Sequence, residues 1–191
     1  MTIVKRYCSI LFLFSIVAFA QLTRPERTNY HETSRYQDVM DFIDSLKFDG
    51  KALKLSWLGY STQGKPLPMI VYGDVADAKP ETIRKSGKLV VYIQGNIHAG
   101  EVEGKEAMLE LLRELNQGKH SEWRRRLVLL IVPIFNADGN DVISLYNRPW
   151  QHGPVAGMGQ RANAQGLDLN RDHMKLETPE VLAFVKMLNE F

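Results

Sequence analysis

The sequence predicts an α/β fold, a mixed, largely parallel sheet with helices on both faces. Three observations carry this. Leu89-Val90-Val91-Tyr92-Ile93 and Leu127 to Ile131 are short apolar runs of the kind buried on both faces of a sheet. Segments with apolar residues at helical spacing lie between and around them. Gly, Asn and Asp cluster where the runs end. Strands alternating with helices favour a sheet with parallel pairs.

The elements follow in order. Thr33-Ser34 is placed to cap a helix with Tyr36, Val39, Met40, Ile43 and Leu46 on one face, ended by Gly50. Leu53 to Leu58 alternates like a half-buried strand, and Leu67 to Tyr72 is a second strand after the turn-rich Gly59 to Gly64, which predicts a hairpin. Asp74 to Lys88 is polar, contains Pro80 and reads as a loop. Leu89 to Ile93 is a buried strand, and a helix bearing Ala107, Met108, Leu111, Leu112 and Leu115 runs to Gly118. Leu127 to Ile131 is the next buried strand, Asn136 to Gly139 a turn, and residues 144–170 a long loop. Thr178-Pro179-Glu180 combines a cap, a proline in the first turn and an acid there. The helix it opens has Val181, Leu182, Phe184, Val185 and Leu188 as its apolar face.

Composition narrows the function classes. The 191 residues carry 24 Lys+Arg against 22 Asp+Glu, so no basic field is available for nucleic acid. One cysteine, Cys8, rules out a disulfide within the chain. Lys5 and Arg6, an apolar run from Ile10 to Ala20 and the ending Ala18-Phe19-Ala20 form the pattern of a secretory signal. The run is too short to span about 30 Å of hydrocarbon. Residues 1–20 are therefore expected to be an export signal, 21–32 a linker and 33–191 the folded domain. The mature chain is expected to be exported, periplasmic or extracellular, with no membrane span. The formal charge of +2 belongs to the signal, because Lys5 and Arg6 are its only charged side chains.

The chemistry lies at strand ends, where open α/β sheets bind ligands. His98 and Glu101 stand three apart, just after a buried strand and at the opening of a helix, and an imidazole with a carboxylate can ligate a divalent metal such as zinc. On spacing alone, a solvated loop histidine beside a helix-N-terminal glutamate fits at least as well. Arg161 to Asp172 holds two arginines and an asparagine, whose planar donors suit a carboxylate. Standing alone, that segment also fits a charged loop with local ion pairs. No G-x-S-x-G exists for a serine hydrolase. Gly157 to Ala162 matches a dinucleotide motif only formally, since no strand precedes it.

Taken together, Gly95-Asn96-Ile97-His98-Ala99-Gly100-Glu101, Pro133-Ile134-Phe135-Asn136-Ala137-Asp138-Gly139 and the segment from Arg161 to Arg171 resemble the zinc carboxypeptidase family. Gly59 to Lys65 is similar to that family's early hairpin turn. The resemblance covers roughly residues 33–191. It implies that His98 and Glu101 are zinc ligands and that Asp168 orients the histidine. Arg161 would steady the oxyanion. Asn170 and Arg171 would grip the free carboxylate of a peptide or protein C-terminus. The implied reaction is hydrolysis of C-terminal residues by a zinc-activated water.

Several features depart from the family. Gly100 stands where many members carry Arg, which leaves one positive charge fewer beside the site. Asp172 is placed to pair with Arg171. The third zinc ligand and the general base are expected downstream of Phe191. His31, His120, His152 and His173 read as surface or loop residues, and the domain is expected to be incomplete at its C-terminus and inactive alone. A related N-acyl amino acid deacylase, or a non-catalytic peptide-binding relative, is the alternative reading.

Overall fold

The computed structural model describes residues 21–46, 48 and 52–191. The expected export signal and Gly50, the expected end of the first long helix, lie outside the described residues. Strands β1 (Leu53–Tyr60) and β2 (Pro66–Tyr72) form the predicted antiparallel hairpin. Its turn is closed by the Ser61 amide donating to the Lys65 carbonyl at 2.9 Å. Strands β3 (Leu89–Gln94) and β4 (Leu127–Val132) complete a sheet in the order β1-β2-β4-β3.

The sheet is mixed, with less parallel pairing than the sequence suggests. Only β3 and β4 run parallel, while β2 meets both of its neighbours antiparallel. A parallel pair needs a long crossover, and α4 (Glu103–Asn116) provides one between β3 and β4; the tight hairpin cannot. Burial follows position. In β4, Val128, Leu130, Ile131 and Val132 are fully buried, and β2 is buried from Leu67 onward. Successive strand side chains point to opposite faces, so both faces of these central strands are covered. Each buried Leu, Ile or Val contributes about 1.5–3 kcal/mol relative to exposure. By contrast, β3 is partly exposed along its length, and Leu89 is 65% exposed. Among the described residues it is one of the two edges of the sheet, so its apolar run marks a strand buried only in part.

Tertiary contacts override several local signals. Helix α1 (Arg24–Arg27) is a single turn closed by a Thr23–Glu26 capping box, and Glu26 takes two hydrogen bonds from Arg113 of α4, at 2.6 and 2.7 Å. Helix α2 (Tyr36–Ser45) begins after Arg35, whose amide is held by Asp38 at 2.9 Å. Thr33 and Ser34, the expected caps, instead donate to Glu106 of α4 at 2.7–2.8 Å. Fully buried Lys105 bonds the Ser34 carbonyl and, at 2.6 Å, Asn140 of α5 (Ala137–Asp141). That network binds the entry to α2 onto the elements that carry the site. Helix α3 (Pro80–Lys85) occupies the expected loop, with Pro80 in its first turn and a Glu81–Lys85 pair.

After the short α6 (Leu169–Asp172), helix α7 (Pro179–Glu190) starts where predicted and packs on β1, with Ala183 against Gly59. Its buried face differs from expectation: Val181 and Met187 are buried, whereas Leu182 and Leu188 are exposed. Thr178 caps it, accepting from the Val181 amide at 3.3 Å while donating to Asp172 at 2.6 Å. Thr178→Ala removes both bonds and should lower stability by about 2 kcal/mol. Urea unfolding would measure this, and an unchanged midpoint would show that the cap is dispensable. Among the described residues no helix is long and apolar enough to cross a membrane.

Candidate active site

Because β3 and β4 are parallel, their carboxyl ends emerge side by side. Pairing continues past the strands: the Phe135 amide donates to the Gly95 carbonyl and the Asn136 amide to that of Asn96, each at 3.1 Å. Asn96 adopts the left-handed conformation, φ 62°, and its side-chain amide donates to the Ala99 carbonyl at 3.2 Å. Asn tolerates that conformation better than most residues, which lets the loop turn back within three residues. The turn brings His98, 5% exposed, against Glu101 at the lip of the loop, with Nδ1 and Oε1 3.0 Å apart.

The second half of the site comes from residues 161–172. The Asn163 side-chain oxygen Oδ1 accepts the amides of Gln165 and Leu167 at 2.9 and 3.1 Å, which folds this loop on itself. Asn136 anchors it by donating to the carbonyls of Arg161 and Ala162, both at 3.2 Å. The approach is close enough that a Cβ on Gly139 would lie 2.5 Å from the Ala162 carbonyl, which accounts for glycine there. Asp138, two residues after Asn136, fixes the hairpin turn by accepting from the Ser61 hydroxyl and the Gln63 amide, each at 2.9 Å. Pro133–Gly139 therefore holds the other motifs in register.

Asp168 is the hub. Its Oδ1 faces His98 Nε2 at 2.9 Å and accepts the Asn170 amide at 2.9 Å, capping α6. Its Oδ2 receives Nε and Nη2 of Arg161 at 2.9 and 2.8 Å. That leaves Arg161 Nη1 directed at the imidazole, 3.4 Å from Nδ1. Burial opposes ionisation of Asp168, but the bonds from His98, the Asn170 amide and Arg161 prevail and hold its carboxyl below the ordinary value. At Glu101 burial likewise acts upward, and a protonated His98 together with Arg148 outweighs it, so its carboxyl is also lowered. Both carboxylates are ionised at neutral pH.

The donor set fits a divalent cation. With the Nε2 proton donated to Asp168, Nδ1 presents a lone pair to a carboxylate oxygen 3.0 Å away. Arg161 Nη1 at 3.4 Å from Nδ1 and Arg148 Nη2 at 2.9 Å from Oε1 ease the repulsion between these two acceptors, and a cation held between them would relieve it directly. One imidazole nitrogen and one carboxylate oxygen, with the far nitrogen held by a carboxylate, suit zinc. Among the described residues no group of three or more His, Cys, Asp or Glu side chains is arranged to hold a metal ion.

Arg148 is the site residue that the sequence does not reveal. Its Nη2 donates to Glu101 Oε1 at 2.9 Å from 47 residues away. It supplies the positive charge that the glycine at position 100 withholds, and that glycine makes room for it: a Cβ on Gly100 would lie 2.8 Å from Arg148 Cγ. The only sequence signal was an arginine within the long loop. Asn170 and Arg171 are both exposed at the start of α6, with Arg171 Nη1 donating to the Asn170 carbonyl at 3.0 Å. Asp172 does not pair with Arg171. It is buried and accepts from the amides of Glu177 and Thr178 at 2.9 Å, so its charge serves the link into α7. His31, His152 and His173 are exposed, the last edge-on to Phe184, and His120 stacks on Trp123 at 4.3 Å. The ring contacts of His120 and His173 lie away from His98.

A family model described as zinc carboxypeptidase matches residues 39–183. Carboxypeptidase 2 of Trichophyton rubrum is 28% identical over 144 residues, 71% of this chain and 23% of its own length. The human carboxypeptidase N catalytic chain is 27% identical over 179 residues, 90% of this chain and 35% of its own. The chain thus spans between about a quarter and a third of these relatives. A crystallised metallo-carboxypeptidase from Burkholderia cenocepacia superposes with a TM-score of 0.60 at 24% identity, covering 84% of this chain and 39% of that one.

Proposed function

The chain belongs to the zinc carboxypeptidase family, and from that premise we propose that it contributes to zinc-dependent hydrolysis of C-terminal residues from peptides. The observation that carries the reading is the convergence of His98, Glu101, Asp168 and Arg161 at the carboxyl ends of a parallel strand pair. The N-terminal pattern of residues 1–20 supports export, which would give access to peptides outside the cytoplasm.

His98 and Glu101 would hold zinc, which when bound supplies an activated water for attack on a peptide carbonyl. The described residues orient the ligand and the substrate. Asp168 keeps the His98 Nε2 proton and so leaves Nδ1 as the ligating atom. It also fixes Arg161, whose Nη1 lies 3.4 Å from His98 Nδ1, outside the pair with Asp168, and would donate to the oxyanion as the carbonyl becomes tetrahedral. Asn170 and Arg171, exposed on the first turn of α6, would bind the substrate's terminal carboxylate, and Arg offers it a two-point fork. That grip would confine cleavage to chain ends, since an internal peptide bond has no carboxylate beside it.

Arg171→Ala in the full-length protein tests the exopeptidase reading. The ratio of kcat/KM on free to C-terminally amidated peptides should fall by at least about 10-fold, the cost of a charged hydrogen bond of roughly 1.5–3 kcal/mol. An unchanged ratio would remove Arg171 from the carboxylate site.

A further inference from the structure

We infer that Arg148 is a positioning residue that holds the Glu101 carboxylate against His98 and thereby sets the strength of metal binding. The inference rests on the reading of Glu101 as a ligand. Arg148 reaches Glu101 through packing as well as through charge. Its side chain is 17% exposed, its stem lies against the bare backbone of Gly100, and its Nε is buried with no hydrogen-bond partner among the described residues. An arginine attracted only by a surface carboxylate would keep all its donors solvated. Here the stem is wedged, and the guanidinium has one directed bond, Nη2 to Glu101 Oε1 at 2.9 Å.

The accepting oxygen is the one that faces His98 Nδ1 at 3.0 Å. Glu101 needs such help, because its side chain is 44% exposed and no other charged donor holds it among the described residues. His98, at 6% side-chain exposure, is fixed by its surroundings and by Asp168. The pair is therefore asymmetric: a rigid imidazole and a carboxylate that would otherwise sample several rotamers. The 142–158 loop is anchored for this role. Ser144 bridges Met158, and Asn147 of the same loop donates to the carbonyls of Val142 and Met158 at 2.7 and 2.8 Å, one residue before Arg148.

The test is zinc affinity of the full-length protein, measured by competition with a chromophoric chelator, with the cobalt(II) absorption spectrum as a second readout. Arg148→Met keeps an apolar stem against Gly100 and removes the donors. It should weaken zinc binding by about 10–100-fold, the usual effect of removing a hydrogen-bond partner from a metal ligand, and alter the cobalt spectrum. Arg148→Lys restores charge without the fork and should fall between. In a Glu101→Gln background the Arg148→Met penalty should vanish, because the residue acts through that carboxylate. Unchanged affinity in Arg148→Met, or an equal penalty in both backgrounds, overturns the inference. If Glu101→Gln itself leaves zinc affinity unchanged, the ligand reading fails instead, and the two failures are distinguishable.

Discussion

Replacing His98 by alanine should leave the full-length protein without bound zinc and without peptidase turnover. Changing a group that merely orients a ligand weakens metal binding by about 10–100-fold, so loss of the ligand itself should exceed 100-fold. His98 holds the loop between β3 and α4 in common with Asn96 and the Asn136 amide, and the hydrophobic core lies in the strands and helices beneath. The variant should therefore fold, and its thermal unfolding should stay near that of the parent stripped of metal. Metal content by mass spectrometry decides the matter, and stoichiometric zinc retained by His98→Ala would exclude the imidazole as a ligand.

Arg161→Ala should lower kcat by about 10²–10³ with little change in KM, because a donor aimed at developing charge acts in the transition state and not on the bound substrate. Its geometry separates the two possibilities. Nε and Nη2 are committed to Asp168, and Nη1 is directed over His98. Arg161→Lys keeps the charge but cannot hold Asp168 with two nitrogens while pointing a third, so it should recover only part of the loss. A change confined to KM would instead assign Arg161 to holding substrate.

Local chemistry was the legible part of this protein. His98 and Glu101 sit within one turn of chain, and the Asp168–Arg171 run is contiguous; spacing left each open, and the resemblance carried by the motifs together singled them out. The hairpin and α7 were legible through turn residues and a Thr-Pro-Glu start. What sequence concealed depends on distant partners. Thr33 and Ser34 look like caps until Glu106 of α4 takes their hydroxyls. The apolar run of β3 reads as a strand buried on both sides, although how many neighbours it meets is a property of the sheet and not of the run. Arg148 is one of many arginines until the 142–158 loop folds it against Gly100. The pairing of Asp172 with Arg171, natural for neighbours, loses to two backbone amides and a hydroxyl from the link into α7.

The carboxylate of Asp168 has no spare capacity. One oxygen serves the imidazole and the Asn170 amide of α6, and the other serves two nitrogens of Arg161. A mutational scan would therefore score this aspartate as intolerant as any group touching metal or peptide, because a single change there misaligns the histidine, the arginine and the helix turn that presents Asn170 and Arg171 at once. Tolerance maps read as contact maps would place it at the reacting centre. Even Asp168→Asn, which keeps the volume and one acceptor, presents an amide to an arginine or an imidazole N–H that it cannot satisfy. The residue has no conservative neighbour in sequence space.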